Sequence, residues 1–306
     1  MIYSLTAINF LGESIHLPLD NPYETGLAIT SISGIGPTKA TVNVSDLAVS
    51  DGGIFNSARV GTRNIVITFR LLEDPLTQMV EDTRQRTYKY FPLKKPITLQ
   101  FETTNRLVEI QGYVESNEPD IFQKEETAQI SIICPSPYFY SNDGTFILNG
   151  VESLFYFPFS NESLDDNLIE FSSIRQSLSA SYEYYGDVDT GILCHFHIIE
   201  DDVTNISIYN LTTDTRMDID TSKISKITKD GKNLVKTDDI YLSTIGSDRY
   251  MYLVRAGVTY NIISALPKDT KWVQVVKGSN VFGYTADTGA AHVEIEIMTN
   301  VLYEGV

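Results

Sequence analysis

Two histidines one residue apart form the strongest metal-binding pattern in the chain. His195 and His197 flank Phe196, and residues two apart in a strand lie on the same face, so both imidazoles could coordinate one zinc ion. Further ligands would have to come from distant positions, and His16 and His292 are the only other histidines. We expect two histidines on the solvent face of a sheet, and we nominate no metal-binding residue.

Two loops resemble ligand-binding motifs but lack required residues. Residues 187–191 begin like a calcium loop, yet the glycine comes one place too early, and Ile198 stands where a bidentate glutamate belongs. Residues 34–37 have the glycine spacing of a phosphate loop, but they lead into a predicted strand instead of a helix N-terminus. We therefore expect ordinary turns at both places and no cofactor.

No arrangement typical of an enzyme is present in the sequence. There is no Gly-X-Ser-X-Gly motif. Cys194 precedes His195, but adjacent residues of a strand point to opposite faces and cannot act as nucleophile and base. Distant carboxylates could act together on a glycosidic bond, but the sequence distinguishes no such pair. The sequence indicates no catalytic residue, and we predict that the protein is not an enzyme.

The composition argues against two further classes of function, specific nucleic-acid binding and membrane insertion. A net charge of −17, from 40 acidic and 23 basic residues, would repel a phosphate backbone and argues against specific nucleic-acid binding. No apolar run approaches the roughly 18–20 residues of a membrane span, and residues 1–5 do not resemble a secretory signal. Cys134 and Cys194 are expected to be free, buried thiols of a protein made in a reducing cytoplasm.

Most of the chain has the alternating pattern of β-strands. The clearest example is residues 65–71, where Ile65, Ile67, Phe69 and Leu71 share one face. Other predicted strands cover residues 41–49, 97–101, 106–114, 128–134, 145–148, 192–199, 206–211, 250–254, 258–263, 272–276, 280–285 and 292–298. Their spacing in the second half is typical of a β-sandwich.

One helix is predicted, over residues 75–90. Asp74 is a suitable N-cap, Pro75 suits the first helical position, and Pro92 ends the helix. Such a helix would be about 24 Å long. The apolar and small residues at helical spacing would share one face; they are Leu76, Met79, Val80, Thr83, Thr87 and Tyr90.

A proline-rich segment and a polar turn divide the chain. Pro135 and Pro137 cannot lie in a central strand, and a turn-forming sequence follows at residues 141–144. We predict a mainly β protein with an N-terminal domain at 1–140 and a C-terminal domain at 141–306.

Eight short segments occur in a characteristic order along the chain. They are residues 61–66, 74–75, 90–97, 112–115, 134–139 (Cys-Pro-Ser-Pro-Tyr-Phe), 185–191, 253–257 and 303–306. In these segments the chain resembles the distal tail protein (Dit) family of long-tailed phages and prophages of Gram-positive bacteria. No single segment is diagnostic, but their order and spacing together cover nearly the whole chain.

The resemblance implies an N-terminal split β-barrel with one helix and a C-terminal galectin-like β-sandwich. It implies a ring of six copies at the virion tail tip, assembled in the host cytoplasm. The N-terminal domains would line a channel for DNA. The ring would join the tail tube protein to the tail-tip or tail-associated protein, with a receptor-binding protein as a further candidate partner. The family has no enzymatic role of its own.

The resemblance also implies an arm that contacts the neighbouring subunit. Residues 46–61 are the best candidate, because a solvated loop of this length would not keep apolar side chains exposed without cost. The candidate interface residues are Ile54, Phe55, Arg59, Val60 and Arg63, with either arginine pairing to acidic groups of the neighbour.

A carbohydrate-binding β-sandwich is the alternative function. The many aromatic residues of the second half could supply stacking platforms for sugars. However, the chain has a single tryptophan, Trp272, and most tyrosines occupy predicted strand positions. An oligomer mass and a glycan screen would distinguish the two functions.

Overall fold

The computed structural model describes residues 1–47, 50–73, 79–153, 172–176, 179–246 and 248–306. The predicted mainly β class is confirmed, since strands make up most of the regular structure. The chain divides into two compact units, Met1–Ser141 with Leu302–Val306 and Asn142–Val301. Each unit is described separately below.

The first unit contains nine strands and one helix, and a tenth strand begins in it. These elements are β1 (Ile2–Asn9), β2 (Ser14–Pro18), β3 (Leu27–Ser33), β4 (Ala40–Asp46), β5 (Gly53–Val60), β6 (Arg63–Leu71), α1 (Val80–Tyr90), β7 (Pro96–Thr103), β8 (Leu107–Asp120), β9 (Thr127–Cys134) and β10 (Phe139–Ser153).

Seven of these strands form an antiparallel series in the order β2-β1-β7-β8-β9-β6-β3. The long strand β8 joins its two halves, because residues 107–113 pair with β7 whereas residues 113–120 pair with β9. A register shift between Val114 and Ser116 marks the change of partner along the strand. Within the part of the chain that the structure describes, these strands form no closed barrel.

The core of the first unit lies on one face of these strands, and β6 shows why. Ile65, Ile67, Phe69 and Leu71 are all buried, as their alternation predicts. Phe69 packs against Phe91 at the end of α1, with ring centroids 5.8 Å apart. The period of two therefore places one side of β6 in the core.

The helix is shorter than predicted. Its N-cap is Met79, whose backbone is extended, and α1 starts at Val80 instead of residue 75. The predicted N-terminal residues Asp74, Pro75 and Leu76 lie outside the described residues. Thr83 and Thr87 are buried as expected, and the Thr83 hydroxyl donates to the carbonyl of Leu72. Met79, expected on the inner face, is exposed.

The second unit is a β-sandwich with short helical segments. Its elements are β11 (Ser172–Gln176), β12 (Ser179–Tyr184), β13 (Thr190–Gly191), β14 (Leu193–Ile198), β15 (Ile206–Asn210), β16 (Thr215–Ile219), α2 (Ile224–Thr228), β17 (Asp239–Ser243), β18 (Tyr250–Arg255), β19 (Val258–Asn261), β20 (Gln274–Val275), β21 (Gly278–Thr285) and β22 (Val293–Tyr303).

Two antiparallel arrays supply the apolar core of this unit. One has the order β19-β18-β17-β14-β22 and the other β12-β21-β15-β16. Val293, Ile295 and Ile297 of β22 are buried, which confirms the predicted inward face of that strand. Phe196 of β14 is buried beside them, directly opposite Ile295.

The main segment of the first unit ends at Ser141, one residue from the predicted domain boundary at residue 140. Residues 302–306 also belong to the first unit, whereas the predicted boundaries assign them to the second domain. Arg106 donates to the carbonyl of Gly305 at 3.2 Å, and its guanidinium lies over the ring of Tyr303. These contacts hold the segment in the first unit.

Candidate assembly interface

Strands β4 and β5 form an isolated hairpin, which we call the arm. They pair with each other over residues 40–46 and 53–60, and among the described residues neither pairs with another strand. Every residue of both strands is exposed except Val60, which is half-buried. Half of the segment predicted as a loop at 46–61 is therefore strand β5, which runs from Gly53 to Val60.

The register gives the arm one apolar face. Residues directly opposite each other in an antiparallel pair share a face. Val44 lies opposite Phe55 and Val42 opposite Ala58, and residues two apart on β4 also share this face. We call this surface the docking face; it comprises Ala40, Val42, Val44, Asp46, Phe55, Ala58 and Val60.

The other face of the arm is polar. The Asn43 amide donates to the Ser57 hydroxyl at 2.9 Å, and the Asn56 amide donates to the Ser45 hydroxyl at 2.6 Å. A β-bulge between Asn43 and Val44 places one extra residue, Asn56, on β5. With the extra residue on the polar side, Phe55 remains opposite Val44.

The predicted interface residues are not equivalent. Phe55 lies on the docking face and is 63% exposed. Ile54, which is 56% exposed, lies opposite Ser45 on the polar face. Arg59 is exposed and lies opposite Thr41, also on the polar face. Of the predicted residues within the arm, Phe55 and Val60 are thus the two on the docking face.

Arg63 is not an arm residue, and its guanidinium is bound within its own unit. It lies at the start of β6 and is only 2% exposed. Its guanidinium donates to four backbone carbonyls, those of Pro137, Gly34, Gly36 and Glu304, at 2.5–2.6 Å. All of these partners lie within its own unit.

The structure beside Arg63 explains Gly34, the first glycine of the segment that resembles a phosphate loop. Burial lowers the pKa of Arg63, with the Cys134 thiol opposing the shift, but an arginine remains charged in proteins. Gly34 has a φ of +81°, and a Cβ there would lie 2.0 Å from the carbonyl oxygen of Asn64. The loop therefore presents carbonyl oxygens to a cation instead of N–H groups to an anion.

The same contacts fix the base of the arm. Gly34 and Gly36 lie between β3 and β4, where the chain leaves for the arm. The backbone N–H of Val306 donates to the carbonyl of Ile35 at 3.1 Å, so residues 304–306 and Arg63 hold this connection from two directions. The sequence gives no signal for this site, since Arg63 and Glu304 are 241 positions apart.

The two histidines on β14 share a carboxylate. His195 Nε2 and His197 Nδ1 lie 2.9 and 2.8 Å from the same oxygen, Oδ1 of Asp239. Burial opposes ionisation of Asp239, but hydrogen bonds from His197 and His195 outweigh it and lower the pKa of that carboxyl. The described residues include no group of three or more His, Cys, Asp or Glu side chains suited to a metal ion.

Replacing both histidines by alanine is expected to change stability by less than about 1 kcal/mol, because the groups are partly exposed. A lowered carboxyl pKa contributes its full stabilisation above the ordinary value near 3.9, and this is lost as pH falls through the lowered pKa of the folded state. The small loss in the double variant should therefore shrink as the solution becomes strongly acidic. Thermal unfolding at pH 7 and pH 3 tests this, and zinc bound stoichiometrically to the parent would contradict it.

The cysteines are not placed for catalysis. Both are free and buried. Burial raises the pKa of Cys134 to about 11 despite the opposing charge of Arg63. Burial, with a contribution from Glu296, raises the pKa of Cys194 well above its ordinary value. Neither thiol is a reactive thiolate at neutral pH.

Several aromatic residues that the structure describes in the second unit already have a ring face against protein groups. His195 stacks on Tyr241 at 4.5 Å, and Tyr241 stacks on Tyr252 at 5.1 Å. One face of Trp272 is covered by the guanidinium of Arg249, 4.9 Å from the ring centroid. These ring faces contact protein groups, so the structure adds no support for carbohydrate binding.

Comparison with solved structures identifies a known fold for the chain. The crystal structure of the Dit (gp 19.1) protein of phage SPP1 matches with a TM-score of 0.61 and 10% identity, covering 97% of this chain and 98% of that one. The chain has the fold of SPP1 Dit. The Dit fold extends over both units, since nearly all of each chain is matched.

Two baseplate structures match over similar lengths. The activated phage P2 baseplate with Ca matches with a TM-score of 0.49 and 11% identity, covering 97% of this chain and 98% of that one. The p2 baseplate with Sr gives 0.46 and 12%, with 97% of each chain covered. Both scores lie below 0.5, so the Dit fold assignment depends on the SPP1 structure. The sequence matches no protein-family model and no curated protein.

No helix in the described ranges has the length and apolar character needed to cross a membrane.

Proposed function

We propose that this chain is the structural hub subunit of a phage tail tip or baseplate. Six copies form a ring that joins the tail tube to the tip or receptor-binding apparatus. The observation that carries the proposal is the Dit fold over nearly the whole chain, shared with a protein described as a hub of the adsorption apparatus of phages that infect Gram-positive bacteria.

The arm supports assembly into a ring. An exposed hairpin with one apolar face is unfavourable in an isolated subunit, because its side chains remain hydrated. A neighbouring copy can bury that face. If each copy contributes an arm and receives one, the contact joins two different surfaces, and such contacts form a ring when the rotation between copies closes. The proposed contact therefore uses an arm that the free subunit leaves exposed.

The acidic character of the chain supports passage of DNA. With a net charge of −17 on each chain, an acidic lining of the proposed channel would repel phosphate groups, so that DNA would not bind to the wall. The role is structural instead of enzymatic. The proposed partners are the tail tube protein, the tail-associated protein and a receptor-binding protein, at the tail tip of a virion assembled in the host cytoplasm.

The mass of the purified protein tests the ring. One subunit has a mass of 34.3 kDa, so a ring of six gives about 206 kDa, six times that value, in native mass spectrometry. We expect this species at micromolar concentration, alone or after addition of the tail tube protein. A protein that stays monomeric alone and with both proposed axial partners would contradict the proposal.

We also propose that the two units fold independently. A fragment of residues 142–301 should unfold cooperatively by itself. A fragment of residues 1–141 should be less stable than the same unit in the whole chain, because Arg63 loses the Glu304 carbonyl and Ile35 loses its contact with Val306. Thermal unfolding of both fragments measures this, and equal stability of residues 1–141 inside and outside the chain would contradict it.

A further inference from the structure

A second exposed apolar surface lies on the first unit, and it is bordered by lysines. Phe10 and Leu11 occupy the turn between β1 and β2, and Leu93 lies between α1 and β7; they are 46%, 66% and 52% exposed. The Lys95 ammonium lies 5.2 Å from the centroid of the Phe10 ring. We call Phe10, Leu11, Leu93, Lys94 and Lys95 the acceptor patch.

The backbone holds this patch in a defined shape. The Asn9 side-chain oxygen accepts from the N–H groups of Leu11 and Glu13, and its amide donates to the carbonyl of Lys89 at the end of α1. Between α1 and β7, the backbone N–H of Lys94 donates to the carbonyl of Val114 at 2.9 Å. The patch is thus a fixed surface, which lowers the ordering cost of binding.

The patch is locally basic in an acidic chain. Lys89, nearby, pairs with Glu13 at 3.0 Å. Lys94 and Lys95 are exposed, and within the described part of the chain neither forms an ion pair. Two uncompensated lysines beside apolar side chains, in a chain of net charge −17, favour a partner that presents apolar and acidic groups together.

The arm has this combination of groups. Its docking face continues from Val42 and Val44 to Asp46 at the turn, and Asp51 is exposed in the same turn. Because the arm residues are exposed, the arm does not cover the acceptor patch of its own subunit. A contact between the two surfaces therefore requires a second copy.

We propose that the docking face of the arm binds the acceptor patch of the adjacent copy, with Phe55 against Phe10, Leu11 and Leu93, and with Asp46 and Asp51 near Lys94 and Lys95. This inference rests on the proposed ring. Ile121 and Phe122, another exposed apolar pair, follow Glu118 and Asp120 in the chain, so they would present like charges to the acidic turn of the arm.

Charge reversal in the whole chain tests the pairing of charges. Lys94→Glu with Lys95→Glu should raise the subunit concentration for half-dissociation of the ring about tenfold or more, and Asp46→Lys with Asp51→Lys should do the same. Combining all four substitutions should recover most of the loss, because opposite charges meet again. Unchanged thermal unfolding of each variant serves as the control for folding.

Cysteine cross-linking tests the apolar contact. At a subunit concentration raised to keep the ring formed despite the loss of the Phe55 ring, a chain with Phe55→Cys and Leu93→Cys, treated with a short bismaleimide, should give covalent oligomers up to the full ring. The matched control, Ile54→Cys with Leu93→Cys, places the thiol on the polar face and should cross-link weakly. Native Cys134 and Cys194 are buried, so the parent chain should not react.

The results separate the two proposals. A ring that forms normally but is insensitive to both charge reversals, or is not restored by their combination, overturns the acceptor patch and leaves the hub function standing. Equal cross-linking from residues 54 and 55 overturns the assignment of the docking face. A parent chain that is monomeric alone and with its axial partners overturns both proposals.

Discussion

Replacing Phe55 by serine is expected to weaken the ring strongly while leaving the subunit folded. Phe55 is mostly exposed in the subunit and lies on the docking face. Burying a phenylalanine contributes roughly 1.5–3 kcal/mol, so each contact should weaken by about ten- to a hundredfold. The loss recurs at every contact of the ring. Dilution followed by light scattering measures the dissociation.

The control for this prediction is Ile54→Ser. Ile54 has similar exposure and is adjacent in sequence, but it lies on the polar face opposite Ser45. We expect its effect on dissociation to stay within about threefold, as for a surface substitution. Equal effects from the two variants would show that the docking face is misassigned. A lowered unfolding temperature of Phe55→Ser would show that Phe55 contributes to the core of its own subunit.

Replacing Arg63 by methionine is expected to destabilise the first unit by at least about 3 kcal/mol. The methionine has a similar length but donates no hydrogen bond, so four carbonyls lose their donor. Hydrogen bonds to charged groups contribute roughly 1.5–3 kcal/mol each. Urea unfolding followed by a probe in the first unit measures the loss, since two units need not unfold together.

Two variants control for loss of charge. Arg63→Lys keeps the charge but has three donors on a point-like ammonium, so it cannot reach all four carbonyls, and an intermediate loss is expected. Arg216→Met removes an exposed arginine that pairs with Asp218 and should cost less than about 1 kcal/mol. If Arg63→Met is no more harmful than Arg216→Met, Arg63 does not hold the base of the arm.

Strands with a clear period were predictable from sequence. β6 and β22 alternate between apolar and polar residues over five or more positions, and burial follows that alternation. β1, β2, β16 and β17 were not predicted, although each has buried apolar residues. The β1–β2 connection turns at Gly12, whose φ is +79°, and this turn is not evident from the residues around it.

The arm was only partly predictable. Its exposed apolar side chains are visible in the sequence, but the two glycines at 52 and 53 suggested a loop where β5 begins. Which side chains share a face depends on the bulge at Asn56, because one extra residue changes the alternation. The burial of Arg63 was not predictable, because it follows the arm in sequence whereas its four partners are 27 to 241 positions away.

The distance in sequence between Arg63 and Glu304 has a consequence for the timing of synthesis. These residues are 241 positions apart, and a ribosome adds roughly 5–20 residues per second. About 12 to 50 seconds therefore pass between the synthesis of Arg63 and that of Glu304, which supplies its last carbonyl partner. During this interval the arm of a nascent chain leaves from a connection that lacks one of its supports.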